Sequence, residues 1–544
     1  MTTRRDFLSS ITAAALAQPA HGATARRPNI VLILADDMGF SDLGCYGGEI
    51  RTPNIDSLAA NGVRFTQFYN TARCCPTRAS LLTGLYPHQA GIGHMVDNPK
   101  PFPGYRGDLS RSAVTIAEVL KPAGYQTLMS GKWHVTPVTD SKHNWPRQRG
   151  FDRYYGIIHG AADYFNPVTL TRDNEKAALD KPDYYFTDAI ADNAVTFITD
   201  AAAKPAPYFL YAAFTAPHWP LHAPEADIAR YRGRYKEGWD VLREERHKRQ
   251  IAMGIVKGNW PMTLRDPDVP AWNDAPDKEW QQRRMEVYAA QVDRLDQGVG
   301  RILEAIRRSG QEENTLVVFL ADNGGCAEEI EQKWRGRHIP AVTLAGLPVK
   351  IGNNPQVMPG SEETYQSYGV PWANVSNTPF RLYKHWVHEG GIATPMIARW
   401  PAVIRKKNSL THEPGHLLDI MATCADLGGA HYPETFAGER ITPLEGKSLR
   451  PVFETGRRKG HEAIYWEHEG NRAIRQGRWK LVSRHPGKWE LYDLEADRTE
   501  MHDLAASYPD RVARMSSLYD KWAARAQVEP WDKVVAAPRP DARP

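Results

Sequence analysis

Ile30-Val31-Leu32-Ile33-Leu34-Ala35-Asp36-Asp37 is an unbroken apolar run that ends on two carboxylates. Six consecutive apolar side chains suit a strand buried on both faces, as in the interior of a parallel sheet. The same pattern recurs along the chain. Thr127-Leu128-Met129 runs into Gly131-Lys132-Trp133-His134, and Tyr208-Phe209-Leu210-Tyr211-Ala212-Ala213 runs toward Pro217-His218. Leu316-Val317-Val318-Phe319-Leu320 runs into Asp322-Asn323-Gly324-Gly325. Helical patterns lie between these runs. Thr115-Ile116-Ala117-Glu118 reads as a capping box, with Pro122 and Gly124 as stops. Ile190, Ala194, Phe197 and Ile198 form one apolar stripe, and Tyr288, Val292, Leu295, Val299, Ile302 and Ile306 form another, closed by Gly310. This alternation predicts an open α/β fold with helices flanking a large, mostly parallel sheet. Ligands of such sheets bind outside the carboxyl ends of the strands. The four reactive clusters are therefore expected to converge.

Composition narrows the function classes. The chain has 544 residues, 42% hydrophobic and 24% charged, which is ordinary for a globular enzyme. Its 68 basic and 64 acidic side chains leave a formal charge of +4, too near neutral to argue for nucleic acid. The densest charged stretch, Arg243-Glu244-Glu245-Arg246-His247-Lys248-Arg249, mixes signs and reads as a solvated helix face. The five cysteines, Cys45, Cys74, Cys75, Cys326 and Cys424, have neither metal-type spacing nor a disulfide framework.

Cys74-Cys75-Pro76-Thr77-Arg78-Ala79-Ser80-Leu81-Leu82-Thr83-Gly84 carries the chemistry. Pro76 suits the first turn of a helix and Gly84 its end, so Cys74 is expected at a helix N-terminus, where free N–H groups favour an anion. Adjacent cysteines are hard to bridge within disulfide geometry, which argues against a Cys74–Cys75 bond. Asp36, Asp37, Asp322 and Asn323 offer only oxygen donors, and that set suits a hard cation such as Ca²⁺.

The Cys74–Gly84 string resembles the signature C-x-P-x-R then x-x-L-L-T-G of the type I sulfatases. Lys132 and His134 resemble that family's K-x-H element, and His218 its third-strand histidine. Lys384 before Glu389-Gly390-Gly391-Ile392 resembles its Lys before E-G-G-I, although Ala393 stands where the family usually has Arg, a departure that bears on packing near the site. The resemblance runs from Pro28 to about Leu504 and implies an alkaline-phosphatase-like fold. It also implies that a maturation enzyme oxidises Cys74 to formylglycine, and that one Ca²⁺ per chain is held by Asp36, Asp37, Asp322, Asn323 and the modified Cys74. In the implied mechanism the aldehyde hydrates to a gem-diol, one hydroxyl attacks sulfur and Arg78 orients it. Lys132 and Lys384 hold sulfate oxygens. His218 protonates the leaving alcohol or phenol, with Lys384 sharing the task, and His134 takes the proton that expels sulfate. A serine or cysteine nucleophile would lack the second hydroxyl. The implied substrate is an aryl or carbohydrate sulfate ester. A phosphonate or phosphate ester hydrolase of the same superfamily is the alternative, which Asn323, an amide in place of an imidazole, disfavours. Intact Cys74, Arg78 and acidic pairs argue against a silent binding protein.

Four domains are expected: an export signal at 1–25, a catalytic domain at 26–430, a C-terminal subdomain at 431–530 and a tail at 531–544. Thr3-Arg4-Arg5-Asp6-Phe7-Leu8 resembles the twin-arginine export motif, followed by an apolar stretch and small residues suited to signal peptidase, at Ala15-Leu16-Ala17 or Ala23-Thr24-Ala25. The expected location is periplasmic or secreted, with no membrane association after export. Ala473-Ile474-Arg475, Trp479-Lys480-Leu481-Val482 and Trp489–Leu494 read as short antiparallel strands, followed by a helix over Tyr508–Ala526. Residues 330–380 read as irregular. Trp239, Trp260, Trp272 and Trp280 leave two readings open, a pocket for the organic part of a substrate or ordinary packing of a surface insertion.

Overall fold

The apolar runs form the middle of one sheet. A computed structural model describes residues 27–139 and 141–540, so the export segment and the last four residues of the tail lie outside the described residues. In chain order the strands of this sheet are β1 (Asn29–Ala35), β2 (Val63–Tyr69), β3 (Gln126–Lys132), β4 (Arg153–Ile157), β5 (Leu170–Arg172) and β6 (Glu175–Lys176). They continue with β7 (Tyr208–Ala213), β8 (Thr315–Ala321), β9 (Ala393–Arg399), β10 (Ser409–Thr411) and β11 (Gly415–His416). The spatial order is β10-β2-β9-β8-β1-β7-β3-β4-β5-β6, with β11 also on β2. The central strands β8, β1, β7, β3 and β4 are parallel, and β9 runs antiparallel between β8 and β2.

Register decides where the chemistry goes. Ala35 pairs with Ala321, Leu34 with Ala213, and Ala213 with Gly131. Four strands thus end at one level, and Asp36, Asp322, Lys132 and the chain leading to His218 leave the sheet side by side. Alternation sorts the side chains between two cores. Val31, Ile33, Leu210 and Ala212 face the helices Phe186–Ala202 and Lys278–Arg308. Ile30, Leu32, Phe209 and Tyr211 face the layer that contains the helix Cys74–Thr83.

A second sheet of four antiparallel strands lies toward the C-terminus: β12 (Ile464–His468), β13 (Asn471–Gln476), β14 (Trp479–Ser483) and β15 (Glu490–Asp493). The strand β12 goes beyond the three runs read from sequence. One face of the sheet packs Trp466, Ala473, Val482 and Tyr492 against Tyr69, Val387 and Ile392 of the large domain. The other packs Ile474, Leu481 and Leu491 against Met515, Tyr519 and Trp522 of the helix Pro509–Ala526. The first residues of the tail, Trp531–Ala536, are helical.

Two sequence expectations change. The charged stretch 243–249 is not simply a solvated face, because the helix Gly238–Ala252 buries Trp239, Leu242, Arg243, Arg246 and Gln250. These positions follow a helical repeat, and charge concealed it. Arg246 is fully buried, with Nη1 2.7 Å from Asp42 and Nε 2.8 Å from Glu49. Residues 330–380 are irregular only in part, since Gly369–Ser376 is a helix and Ser376 O accepts a hydrogen bond from Ser41 N. The tryptophans follow the packing reading. Trp239, Trp272 and Trp372 contact one another at ring separations of 4.7, 5.5 and 6.2 Å, and Trp260 and Trp280 are also buried.

Candidate active site

Cys74 opens the helix Cys74–Thr83, preceded by Arg73 in an extended conformation and closed by Gly84 at φ 70°. A thiol there faces unsatisfied N–H groups. It is buried, yet it is held well below the ordinary thiol range by a hydrogen bond from Cys75 and, despite desolvation, by Lys132, His134 and Lys384. Cys75 is pushed the other way by burial and by its neighbour. The pair is thus polarised toward Cys74.

The two acidic pairs interlock as the β1–β8 register requires. Asp37 N donates to Asp322 Oδ1 at 3.1 Å, and Asn323 Nδ2 donates to Asp37 Oδ1 at 2.7 Å. Asp37 adopts φ 61°, which turns its carboxylate into the site. Gly324 lets this strand end approach the E-G-G-I loop, because a Cβ there would lie 2.0 Å from Gly390 O. All four side chains are buried. Burial pushes the Asp36 and Asp322 carboxyls up, whereas His218 and Lys384 overcome burial and hold Asp37 down. Asp36 Oδ1 and Asn323 Oδ1 have no hydrogen-bond partner. Buried orphan oxygens among three acids are what an oxygen-preferring cation satisfies, so the donor set fits one.

The cations surround this cluster. Lys132 Nζ donates to Asp36 Oδ2 at 2.6 Å. Arg78 Nη2 lies 2.9 Å from Asp322 Oδ2 and 3.5 Å from Asp36 Oδ2, and its Nη1 donates to Lys132 O at 3.0 Å. Lys384 Nζ donates to Asp37 at 2.9 Å and lies 3.5 Å from His218 Nε2. His218 Nδ1 lies 2.7 Å from Trp219 O. Only a protonated nitrogen satisfies that carbonyl, so the neutral ring turns its Nε2 lone pair to the Lys384 ammonium. Burial, outweighing Asp37, pulls His218 down to about 4. His134 has a ligand nitrogen within 4.8 Å of the Cys74 sulfur, and both its ring nitrogens are buried without partners. Gly160 makes room for it, because a Cβ there would lie 2.5 Å from the His134 ring.

Every residue proposed from sequence therefore meets the others at one point. Sequence reasoning missed Glu328 and Arg73. Glu328 lies 2.8 Å from Arg73 Nη2 and 3.6 Å from Lys384 Nζ, and it accepts from Trp219 Nε1 at 3.0 Å. Nothing in Cys326-Ala327-Glu328-Glu329 singles out this acid, although Arg73 stands directly before the signature. The glutamate of E-G-G-I also gains a role. Glu389 contacts Lys480 Nζ at 3.0 Å and Arg498 Nε at 2.8 Å, all three fully buried, and ties the Lys384 loop to the C-terminal subdomain. Ala393 pairs with Tyr69 in the β2–β9 ladder, and Arg475 Nη1 donates to Tyr69 Oη at 2.7 Å.

The family model described as Sulfatase matches residues 28–430. The chain belongs to the sulfatase family. A second family model, N-sulphoglucosamine sulphohydrolase, C-terminal, matches residues 380–521. Arylsulfatase of Klebsiella aerogenes is 33% identical over 458 residues, covering 80% of this chain and 94% of that protein. An uncharacterised sulfatase of Schizosaccharomyces pombe is 34% identical, covering 85% and 86%. Human arylsulfatase A is 31% identical, covering 80% and 71%. Among solved structures, Ps i-CgsB in complex with k-i-k-neocarrahexaose superposes with a TM-score of 0.65 at 27% identity, covering 93% and 94%. This sulfatase is a sulfuric ester hydrolase of the alkaline phosphatase superfamily, acting on sulfate esters.

Proposed function

We propose that the enzyme hydrolyses sulfate monoesters with residue 74 in the formylglycine form and one Ca²⁺ held by Asp36, Asp37, Asp322, Asn323 and residue 74. The observation that carries this reading is Cys74 at a helix N-terminus, ringed by Lys132, Lys384 and His134 and beside interlocked acids with orphaned oxygens. When present, the hydrated aldehyde supplies an oxygen nucleophile and the cation lowers the cost of gathering negative charge beside the acids. The remaining work falls to the chain's own residues. Lys132 and Lys384 offset the charge of the ester, and Arg78 bridges Asp322 and Asp36 and so positions the acids. His134, whose nitrogens lack partners, accepts a proton at the residue-74 oxygen. Lys384 holds the proton that the leaving oxygen needs and relays it with His218 Nε2, 3.5 Å away.

The substrate class is an aryl or carbohydrate sulfate. Its support is the arylsulfatase relatives and the hexasaccharide complex of Ps i-CgsB. A maturation enzyme converts Cys74 in this reading, and twin-arginine export carries the protein to the periplasm or medium. Among the described residues no helix is long and apolar enough to cross a membrane. Mass analysis of the peptide carrying residues 74 and 75 tests the proposal. Active enzyme should carry an aldehyde at position 74 and an intact thiol at position 75, and Cys74→Ala should release no sulfate from a nitrophenyl sulfate. Full turnover by enzyme with an unmodified Cys74 would overturn it.

A further inference from the structure

Beside Cys74 lies a cluster that the mechanism above does not use. Glu469 sits at the β12–β13 turn and His385 directly follows Lys384, and both adopt left-handed backbone, φ 51° and 92°. At Glu469 this is the first position of a two-residue hairpin turn completed by Gly470 at φ 81°, whereas φ 92° at His385 is a conformation that non-glycine residues rarely hold. The two side chains meet, with His385 Nδ1 3.1 Å from Glu469 Oε2. His94 Nδ1 lies 3.1 Å from Glu469 Oε1, and His468 Nε2 lies 3.5 Å from the same oxygen. His468 is fully buried, and both of its ring nitrogens lack a hydrogen-bond partner. The cluster adjoins the catalytic groups, because Arg73 stands between it and Glu328, and Glu328 reaches Lys384.

The amides around the rings decide what fits. Asn471 Nδ2 donates to His468 O at 2.9 Å while Asn471 Oδ1 accepts from His485 N, so Nδ2 also faces His385 Nε2, at 3.3 Å. Asn98 Oδ1 takes Arg539 Nε, and its Nδ2 faces His94 Nε2 at 3.0 Å. Each far nitrogen therefore accepts, which leaves the proton of each ring on Nδ1, 3.1 Å from a Glu469 oxygen. Neither ring offers Nδ1 to a metal ion. An anion is disfavoured too. Against burial, the imidazoles of His468, His385 and His94 beside it hold Glu469 well below the usual carboxylate range. Arg73 is already paired with Glu328. The remaining lone pairs of Glu469 and the orphaned nitrogen of His468 call for a neutral group that donates to one and accepts from the other.

We propose that His94, His385, His468 and Glu469 form the subsite for a hydroxyl of the leaving alcohol, so that the substrate is a sugar sulfate with no second negative charge beside the scissile ester. This rests on the sulfatase reading. Trp219 stands on the other side of Glu328, beside His218, and offers the sugar an apolar face there. Its indole is fixed by Glu328 and backed by Trp334 at a ring separation of 4.9 Å.

Inorganic sulfate release is measured from a nitrophenyl sulfate, from a monosulfated neutral oligosaccharide and from the same oligosaccharide with a second sulfate on the adjoining carbon. The wild-type enzyme should favour the monosulfated over the disulfated sugar at least tenfold in kcat/KM. Glu469→Gln keeps the shape and removes the charge. It should lower the ratio of kcat/KM for the monosulfated sugar to that for the aryl sulfate roughly ten- to a hundredfold, the scale of a hydrogen bond to a charged group. It should also narrow the preference against the disulfated sugar. Equal losses on all three substrates would mean a structural role and overturn the proposal. So would a wild-type preference for the disulfated sugar, or sulfate release from the aryl ester and from neither sugar; the wild-type ratios decide even if the variant fails to fold. Silence on all three esters would instead sink the sulfatase reading beneath it.

Discussion

Removing the His218 ring should hurt in proportion to how badly the leaving oxygen needs a proton. The His218→Ala backbone should hold, because Tyr164 Oη donates to His218 O at 2.9 Å, a bond independent of the ring. Positioned proton transfer is worth about 10²–10⁴-fold. Lys384 Nζ lies 3.5 Å from His218 Nε2 and keeps its own protons after the ring is gone. The loss on an alkyl or sugar sulfate should therefore sit at the lower end, about 10²-fold or roughly 2.7 kcal/mol. Lys384→Ala removes both the proton and the counter-charge 2.9 Å from Asp37, and should cost nearer 10⁴-fold on the same ester. With an activated nitrophenyl sulfate the His218→Ala loss should stay below about tenfold, because that anion leaves unprotonated. The assay is kcat/KM across aryl sulfates of rising leaving-group pKa, ending with an alkyl sulfate. Wild type should show a shallow dependence and His218→Ala a steep one. A uniform loss along the series would show that His218 only positions the ester, and the proton-relay argument would fall.

Four further outcomes are expected, three from the site and the Glu389 cluster and one from the N-terminal sequence. Stripping divalent ions with a chelator should abolish sulfate release, and Ca²⁺ should restore it and raise the unfolding midpoint, as ligands of the native state do; restoration by zinc but not by calcium would contradict the all-oxygen donor set. Glu389→Ala leaves Lys480 and Arg498 short of a buried counter-charge and should destabilise the protein by about 3–5 kcal/mol. Against burial, Lys480, Arg498 and Arg475 hold Glu389 at about 2, below its unfolded value, so its contribution is complete above the ordinary carboxyl range and disappears as pH falls toward 2. The gap in thermal midpoint between wild type and Glu389→Gln should accordingly close in acid, and a gap that widens there would refute the sign. Replacing Arg4 and Arg5 by lysine should leave the enzyme in the cytoplasm, and unchanged appearance in the periplasm on fractionation would dismiss the twin-arginine reading.

The sequence by itself determined what repeats locally or is written contiguously. Continuous apolar runs marked the parallel strands because a strand buried on both faces has no polar alternation to hide it. The Cys74–Gly84 string and the strand-end residues Asp36, Asp37, Lys132, His134, His218, Asp322 and Asn323 were legible because reactive groups at strand ends need no long-range information to be noticed. The buried stripe of Gly238–Ala252 was not legible, because Arg246 satisfies Asp42 and Glu49, which lie some two hundred positions away. A charge reads as exposed until its partner is known. The tautomer of His218, set by Trp219 O, the orphaned oxygens of Asp36 and Asn323, and the meeting of Glu328 with Arg73 and Lys384 likewise exist only once the strands are in register. Local pattern names the participants, while hydrogen-bond partnership and burial are properties of three-dimensional neighbours and are decided by the tertiary structure alone.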